Sequence, residues 1–408
     1  PKIELHAHLN GSIRERTLFD LAKERGIHLN DQYFSLSSSS SSHNKQRHRS
    51  LQECFVLFTE IGKVVVDLDA IRQITREALE DFAKEGVVYL ELRSTPKRLL
   101  LTKKLLCCDN STSRTGTFSL SDIATDKLAT KRQYCETIID VLIKFRKEEE
   151  ERYKKELEKL NTSSTTTSSS SDVSTKAVIN PRLPMIASFI VSIDRSNPVE
   201  SGFEHVDLAI ELAKEYPGVV VGVDLGGNPL KRSFIDFRNC FEKARRCGLS
   251  ITLHCGEVPC SDEDQDSEAY QDALAILEFG PMRLGHALIL PPTLQEKLAR
   301  LQIPVETCPT SNVLTTELVE KSSGGSLLDG IKHHPQMRQW IQSKHPLCIC
   351  TDDPGVFNTD VTKEFVLLQD AFGLTTKDFK DIVLNSVDYA FTDKETKRII
   401  RNRIQAQL

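Results

Sequence analysis

Eight short apolar runs, each reaching a polar or charged residue toward its C-terminal end, set the tightest limit on what this chain can fold into. They are Ile3–Leu9, Val87–Arg93, Met185–Asp194, Val219–Gly227, Ser250–Glu257, Arg283–Leu288, Ile303–Pro309 and Pro346–Asp352. Near-continuous apolar character marks strands buried on both faces, as in a parallel sheet covered by helices. Helix-period stretches fill most of the intervals. Ser12-Ile13-Arg14-Glu15 reads as a capping box leading into Leu18, Leu21 and Ala22. Ser50-Leu51-Gln52-Glu53 reads as another, opening a helix that carries Phe55 and Phe58. Eight strands alternating with helices predict a single α/β unit, a (β/α)8 TIM barrel over residues 1–408. An open doubly wound sheet is the alternative, but neither G-x-G-x-x-G nor G-x-x-x-x-G-K-[ST] occurs.

Additions are expected at about 35–49, 99–131 and 144–180. Ser37–Ser42 is a serine run, and Leu99–Lys131 is mixed and loop-like. Lys144–Leu160 is a highly charged helical stretch that runs into the Ser/Thr tract Thr162–Ser171. Polar tracts bury too little surface to offset the entropy of ordering them, so these segments are expected as flexible insertions. A net charge of -5 supplies no global field for nucleic acid or an anionic membrane, so phosphate recognition must come from a local pocket. No apolar run approaches the roughly 20 residues that span a bilayer. The eleven cysteines form no C-x-x-C pair and read as buried, reduced thiols of a cytoplasmic protein. The sequence opens without Met or a signal peptide, already inside the first strand.

The polar residues at the strand ends carry the chemistry. His6 and His8 lie two apart on the first strand, so both imidazoles face one side. His254 lies toward the end of the fifth run, His286 in the sixth, and Asp352-Asp353 at the end of the eighth. Barrel sites gather side chains from the C-terminal ends of different strands, so these residues are expected to converge. Three neutral imidazoles and a carboxylate suit a hydrolytic Zn²⁺ that keeps one position for water, whose pKa falls to about 7. Hydrolytic deamination also needs a proton donor to a ring nitrogen. Glu257, three residues after His254, suits that role if partial desolvation keeps its carboxyl protonated. His286 could hold the attacking oxygen in line, and Asp353 could share a proton with a purine N7. The fourth and fifth strands show no Lys at a position to bridge two metals, which favours one ion.

These segments resemble the adenosine deaminase family of the amidohydrolase superfamily. The resemblance rests on His6-Ala7-His8-Leu9-Asn10-Gly11-Ser12, Gly222-Val223-Asp224-Leu225-Gly226-Gly227, His254-Cys255-Gly256-Glu257, Gly285-His286-Ala287, Thr310-Ser311-Asn312 and Cys350-Thr351-Asp352-Asp353. It implies one zinc held by His6, His8, His254 and Asp352, Glu257 as proton donor, and His286 beside the attacking hydroxide. It also implies that Gly227 and Asp353 read the purine under an apolar lid of Phe55 and Phe58. Within the family the chain is most similar to the deaminases of N6-methylated AMP. Nucleoside deaminases carry Asp where this chain has Asn10, and that charge would repel a 5′-phosphate. At ~4 Å and an effective dielectric near 20, the cost is about 4 kcal/mol, roughly a thousandfold in binding. Ser94-Thr95-Pro96-Lys97 matches the group's phosphate segment and Asp194 another substrate contact, whereas Gly62 replaces the group's usual His near the phosphate.

The resemblance implies conversion of N6-methyl-AMP, or other N6-alkyl purine nucleotides, to IMP and an amine. The partner is then a small purine nucleotide, with no nucleic acid or membrane, and the protein a monomer. The alternatives are an adenosine or AMP deaminase, a non-catalytic nucleotide-binding barrel, or an amidohydrolase for a non-purine amide or ester. The base-flipping zinc deaminases are set aside, because their H-x-E and P-C-x-x-C elements are missing.

Overall fold

A computed structural model describes residues 1–30, 50–103, 124–164, 181–316, 318 and 325–407. Eight parallel strands pair in sequence order: β1 (Lys2–His8), β2 (Val87–Ser94), β3 (Ile186–Asp194), β4 (Val220–Gly226), β5 (Ser250–Cys255), β6 (Arg283–His286), β7 (Val305–Thr307) and β8 (Leu347–Ile349). A bridge between Ala7 and Asp352 closes the ring. There the Asp352 amide donates to the His6 carbonyl at 2.8 Å, and the His8 amide donates to the Asp352 carbonyl at 2.9 Å. The expected (β/α)8 barrel is therefore present. Around it run α1 (Glu15–Arg25), α2 (Leu51–Val64), α3 (Leu68–Lys84), α4 (Lys131–Ser164), α5 (Val199–Glu215), α6 (Phe234–Arg246), α7 (Glu268–Phe279), α8 (Pro292–Leu301) and α9 (Pro309–Thr315). Among the described residues no helix is long and apolar enough to cross a membrane. The described cysteines Cys135, Cys240, Cys247, Cys255, Cys260, Cys308, Cys348 and Cys350 carry free thiols, and all but Cys247 and Cys260 are buried.

Local chemistry explains the elements and their limits. Leu68, Ile71, Thr75, Ala78, Leu79 and Phe82 make the buried stripe of α3, and the Asp67 carboxylate caps it by accepting from the Ala70 amide at 2.8 Å. The Ser50–Glu53 capping box forms as expected at the start of α2. The one expected at Ser12 does not. The chain makes a short 3-10 turn at Asn10–Ser12, where the Ser12 hydroxyl donates back to the His8 carbonyl at 2.7 Å, and α1 starts without a side-chain cap. Strands β6 and β8 stop short of their apolar runs because the chain turns sharply there. His286, Ala287 and Asp352 all adopt positive φ, at 61°, 46° and 62°.

The expected insertion at 35–49 lies outside the described residues, as do 104–123 and 165–180 of the other two. The described ends of these two are packed. Leu99, Leu100 and Ala129 are buried, and Leu100 bridges to Asp67 and Leu128. The boundary expected at 144 falls inside α4, whose residues Tyr134, Ile138, Ile139, Leu142 and Phe145 form an apolar face on the barrel. Arg146 donates to the Ala187 carbonyl at 2.6 Å, and Arg152 and Arg182 both reach Glu149. Charge alone hid that anchored face from the sequence reading.

The barrel interior is ionic as well as apolar. Arg93, Arg283, Glu91, Asp224 and Glu306 are all fully buried. Arg93 spans the lumen from β2 to Asp224 on β4 at 3.2 Å and to Glu306 on β7 at 2.9 Å. Arg283 reaches Glu306 and Glu91, each at 2.5 Å. Burial by itself would raise the pKa of Glu306 and Asp224. Arg93 and Arg283 hold Glu306 well below the carboxylate range, and His254 and Arg93 do the same for Asp224.

Candidate active site

This ionic layer fixes the imidazoles above it. The Glu306 carboxylate accepts from His6 Nδ1 at 2.7 Å, and Asp224 accepts from His254 Nδ1 at 3.0 Å. An ionised carboxylate can only accept, so each ring carries its proton on Nδ1 and turns the Nε2 lone pair into the barrel mouth. His6 Nε2 is buried there with no hydrogen-bond partner among the described residues. Asp352 Oδ1 lies 3.3 Å from His6 Nε2 and 3.4 Å from His8 Nε2, while His8 Nε2 and His254 Nε2 are 3.2 Å apart. Ser311 donates to the other carboxylate oxygen, Asp352 Oδ2, at 2.7 Å.

That donor set fits a divalent cation on two counts. A tetrahedron with metal–nitrogen bonds of about 2.0–2.1 Å has edges of about 3.3 Å, close to the separations of the three pairs His6–Asp352, His8–Asp352 and His8–His254. Two guanidiniums, Arg93 and Arg283, pair with three carboxylates, Glu91, Asp224 and Glu306, and Asp352 adds a fourth beside the imidazoles, a deficit of two charges. A second grouping, of His6, His254, His286 and Asp352, also brings one donor atom from each within 4.8 Å. His8 is held neutral by burial, which outweighs the pull of Asp352.

Beside the donors lies a cavity of about 200 Å³. His8, His254, His286, Asp352, Glu257 and Asp353 line it, with Asn10, Ser94, Thr95, Lys97, Asp194 and Gly227. Of the residues expected at the site, His6 and Pro96 are buried and do not line the cavity. Phe55 and Phe58 of α2, half-buried with ring centroids 6.5 Å apart, form an apolar wall. Glu257 follows β5 after a turn at Gly256 (φ 70°), its carboxylate 3.9 Å from His286 Nε2. Burial, with the charges of Asp352 and Glu257, drives the Asp353 carboxyl well above its usual range. A Cβ on Gly11 would stand 1.6 Å from Asp353 Oδ1, so only glycine lets the first turn pass this side chain. At Gly227 (φ 82°) a Cβ would stand 2.1 Å from Asp194 Oδ1.

At the far end Lys97 is reached by water yet lies in a concave wall. The surrounding atoms lower its pKa and the Asp194 carboxylate opposes them. The Ser94 hydroxyl is 2.6 Å from that of Tyr134, a cavity residue the sequence reading passed over. Gly62 lines the same cavity, with nothing within 4 Å of where its Cβ would stand.

The adenosine deaminase family profile matches residues 1–182 and 186–407. The chain belongs to the adenosine deaminase family. Among relatives in this family, the N6-mAMP deaminase of Arabidopsis thaliana is 35% identical over 405 residues, covering 98% of this chain and 95% of that protein. The human N6-methyl-AMP deaminase is 29% identical over 410 residues, covering 99% and 92%. A solved structure of the Arabidopsis protein complexed with IMP superposes with a TM-score of 0.71 at 32% identity, covering all of this chain and 96% of that one.

Glu306, Arg93 and Arg283 escaped the sequence reading, although the signal was present: a charged residue inside an otherwise apolar strand has to find a partner across the lumen. Asp224 and Asn312 stood inside quoted motifs without a role. Asn312 Oδ1 is modestly placed in sequence but sits 2.9 Å from His286 Nδ1.

Proposed function

We propose that this protein is a zinc-dependent hydrolase that converts N6-methyl-AMP to IMP, breaking the C6–N6 bond and releasing methylamine. The observation that carries the reading is the donor set of His6, His8, His254 and Asp352 at tetrahedral spacing on the floor of a cavity walled by Glu257 and Asp353. The names of its relatives select the substrate. Zinc held by those four residues supplies Lewis acidity that makes water nucleophilic near neutral pH. Glu257 delivers a proton to N1 as oxygen adds at C6. His286 positions the attacking oxygen, and the Gly227 backbone and Asp353 orient the purine. Asp194 adds a substrate contact, and Phe55 and Phe58 exclude water from above.

Ser94, Thr95 and Lys97 receive the 5′-phosphate, with Pro96 fixing the bend of their loop. Asn10 takes part without adding a negative charge. The open wall at Gly62 leaves Lys97 to supply the cationic contact there. The mostly buried thiols suit a cytoplasmic setting, and one monomer contains every group named.

Turnover of N6-methyl-AMP, AMP and adenosine by the zinc-loaded protein, followed by the ultraviolet shift to the 6-oxo purine, tests this. Preference for N6-methyl-AMP is expected. Preference for adenosine would overturn the phosphate assignment, and turnover of none would overturn the reaction.

A further inference from the structure

Three imidazoles crowd the reacting centre with a nitrogen backed by a neighbouring group, and one of the three is backed differently. His6 and His254 each lean on a carboxylate, whereas His286 Nδ1 lies 2.9 Å from the side-chain amide of Asn312. The other end of that amide lies 3.2 Å from Nε2 of His334, a buried residue ahead of the helix Met337–Ser343. An amide has one donor end and one acceptor end, and its neighbours decide which faces where.

His334 makes that decision. Its Nδ1 receives the backbone N–H groups of Gln336 at 3.3 Å and Met337 at 3.1 Å. A backbone N–H can only donate, so Nδ1 holds a lone pair and the single proton of the neutral ring sits on Nε2. With Oδ1 toward His286 and Nδ2 toward His334, both nitrogens of His334 would have to accept, which a neutral imidazole cannot do. Turning the amide by half a rotation exchanges its ends and satisfies every partner. The Asn312 oxygen then accepts from His334 Nε2–H, and its NH2 group donates to His286 Nδ1. The proton of neutral His286 is left on Nε2, facing the site.

We infer that His334, which touches neither substrate nor metal donors, acts through Asn312 as a positioning residue that holds His286 in the Nε2–H tautomer. In this state His286 is a hydrogen-bond donor to the attacking oxygen. It has no lone pair to offer a cation, which removes it from the second donor grouping and leaves His8 in its place. It also cannot take a proton from water, so that proton passes to Glu257, the carboxylate 3.9 Å from His286 Nε2. Burial keeps His334 itself from charging, pushing its pKa down to about 3. Trp340 packs on it with ring centroids 5.8 Å apart.

The catalytic use of this tautomer rests on the deaminase reading, but its test does not. Neutron diffraction from zinc-loaded crystals exchanged into D2O should place deuterium on Nε2 of both His286 and His334. Deuterium on His286 Nδ1 would overturn the inference whatever the protein turns over. In solution, His334→Leu should lower kcat on N6-methyl-AMP at least about tenfold with KM and zinc content unchanged. His334→Gln, whose amide can accept from the backbone and donate to Asn312, should restore most of it. Wild-type kcat in His334→Leu would refute the relay. Failure of the wild-type protein to deaminate any purine would refute the functional reading alone.

Discussion

Glu306→Gln separates the metal site from the barrel that carries it. Glu306 accepts four hydrogen bonds: Oε2 from His6 Nδ1 (2.7 Å) and Arg93 (2.9 Å), Oε1 from Arg283 (2.5 Å) and Thr252 (2.9 Å). Gln keeps one oxygen and presents an NH2 group in place of the other. The milder placement puts NH2 toward Thr252, whose hydroxyl can turn and accept, and opposes it to Arg283. His6 then keeps an acceptor, but a neutral one, and its hydrogen bond loses about half its strength. Loss of such a support costs about 10–100-fold in metal affinity, or about 1.4–2.7 kcal/mol. Removing one partner from a buried ionic cluster costs about 3–5 kcal/mol, and the zinc-loaded protein should lose that much. The metal-free protein should lose less, because its cluster carries two excess negative charges and the substitution relieves one. By linkage the difference between the two losses is the loss in zinc binding. Urea unfolding of loaded and chelated protein, with chelator competition for zinc, measures all three quantities. Equal losses in both forms with unchanged zinc affinity would refute the coupling.

Other perturbations address single groups. Glu257→Gln should lower kcat by about 10²–10⁴-fold with zinc content unchanged, read by steady-state kinetics and metal analysis. Lys97→Met should raise KM for N6-methyl-AMP by roughly 10–100-fold, the worth of a charge-assisted contact, and leave adenosine binding alone. Glu364 is fully buried, and burial pushes its carboxyl up to about 7 although it accepts from the Thr310 amide and the Thr359 hydroxyl. The folded state therefore holds a proton that the unfolded chain releases near pH 4.5. This contribution to stability is complete below about 4.5 and is lost as pH rises to about 7. Glu364→Gln keeps the shape and both partners, so its unfolding free energy should rise relative to the parent across that interval, as denaturant titrations at several pH values would report.

Much of this protein is legible in its sequence because strand periodicity and strand-end chemistry coincide. The eight apolar runs locate the strands, and His6, His8, His254 and Asp352 stand where runs end, so the barrel brings them together. Strand ends are less legible. The turns at His286, Ala287 and Asp352 need positive φ, which non-glycine residues adopt only when the surrounding structure holds them there. The supporting shell is less legible again. Nothing local to Glu306 announces that it will face Arg93, Arg283 and His6 at once, because those meetings depend on lumen layers built from distant strands. Ser12 shows the reverse failure: a correct local signature was overridden when its hydroxyl found the His8 carbonyl.

The seam where Ala7 meets Asp352 also has a meaning in time. During synthesis the pair His6 and His8 emerges before the other donors, and Asp352 follows only after seven strands have been made. A partly made chain exposes two imidazoles with no enclosure around them, and such a pair selects poorly among the ions of a cell. In the proposed donor set the fourth member, Asp352, arrives with the strand that shuts the ring, so that set would be complete only when folding has finished. Under the proposed ligand set, the order of the strands along the chain would tie tight metal capture to the closing of the barrel.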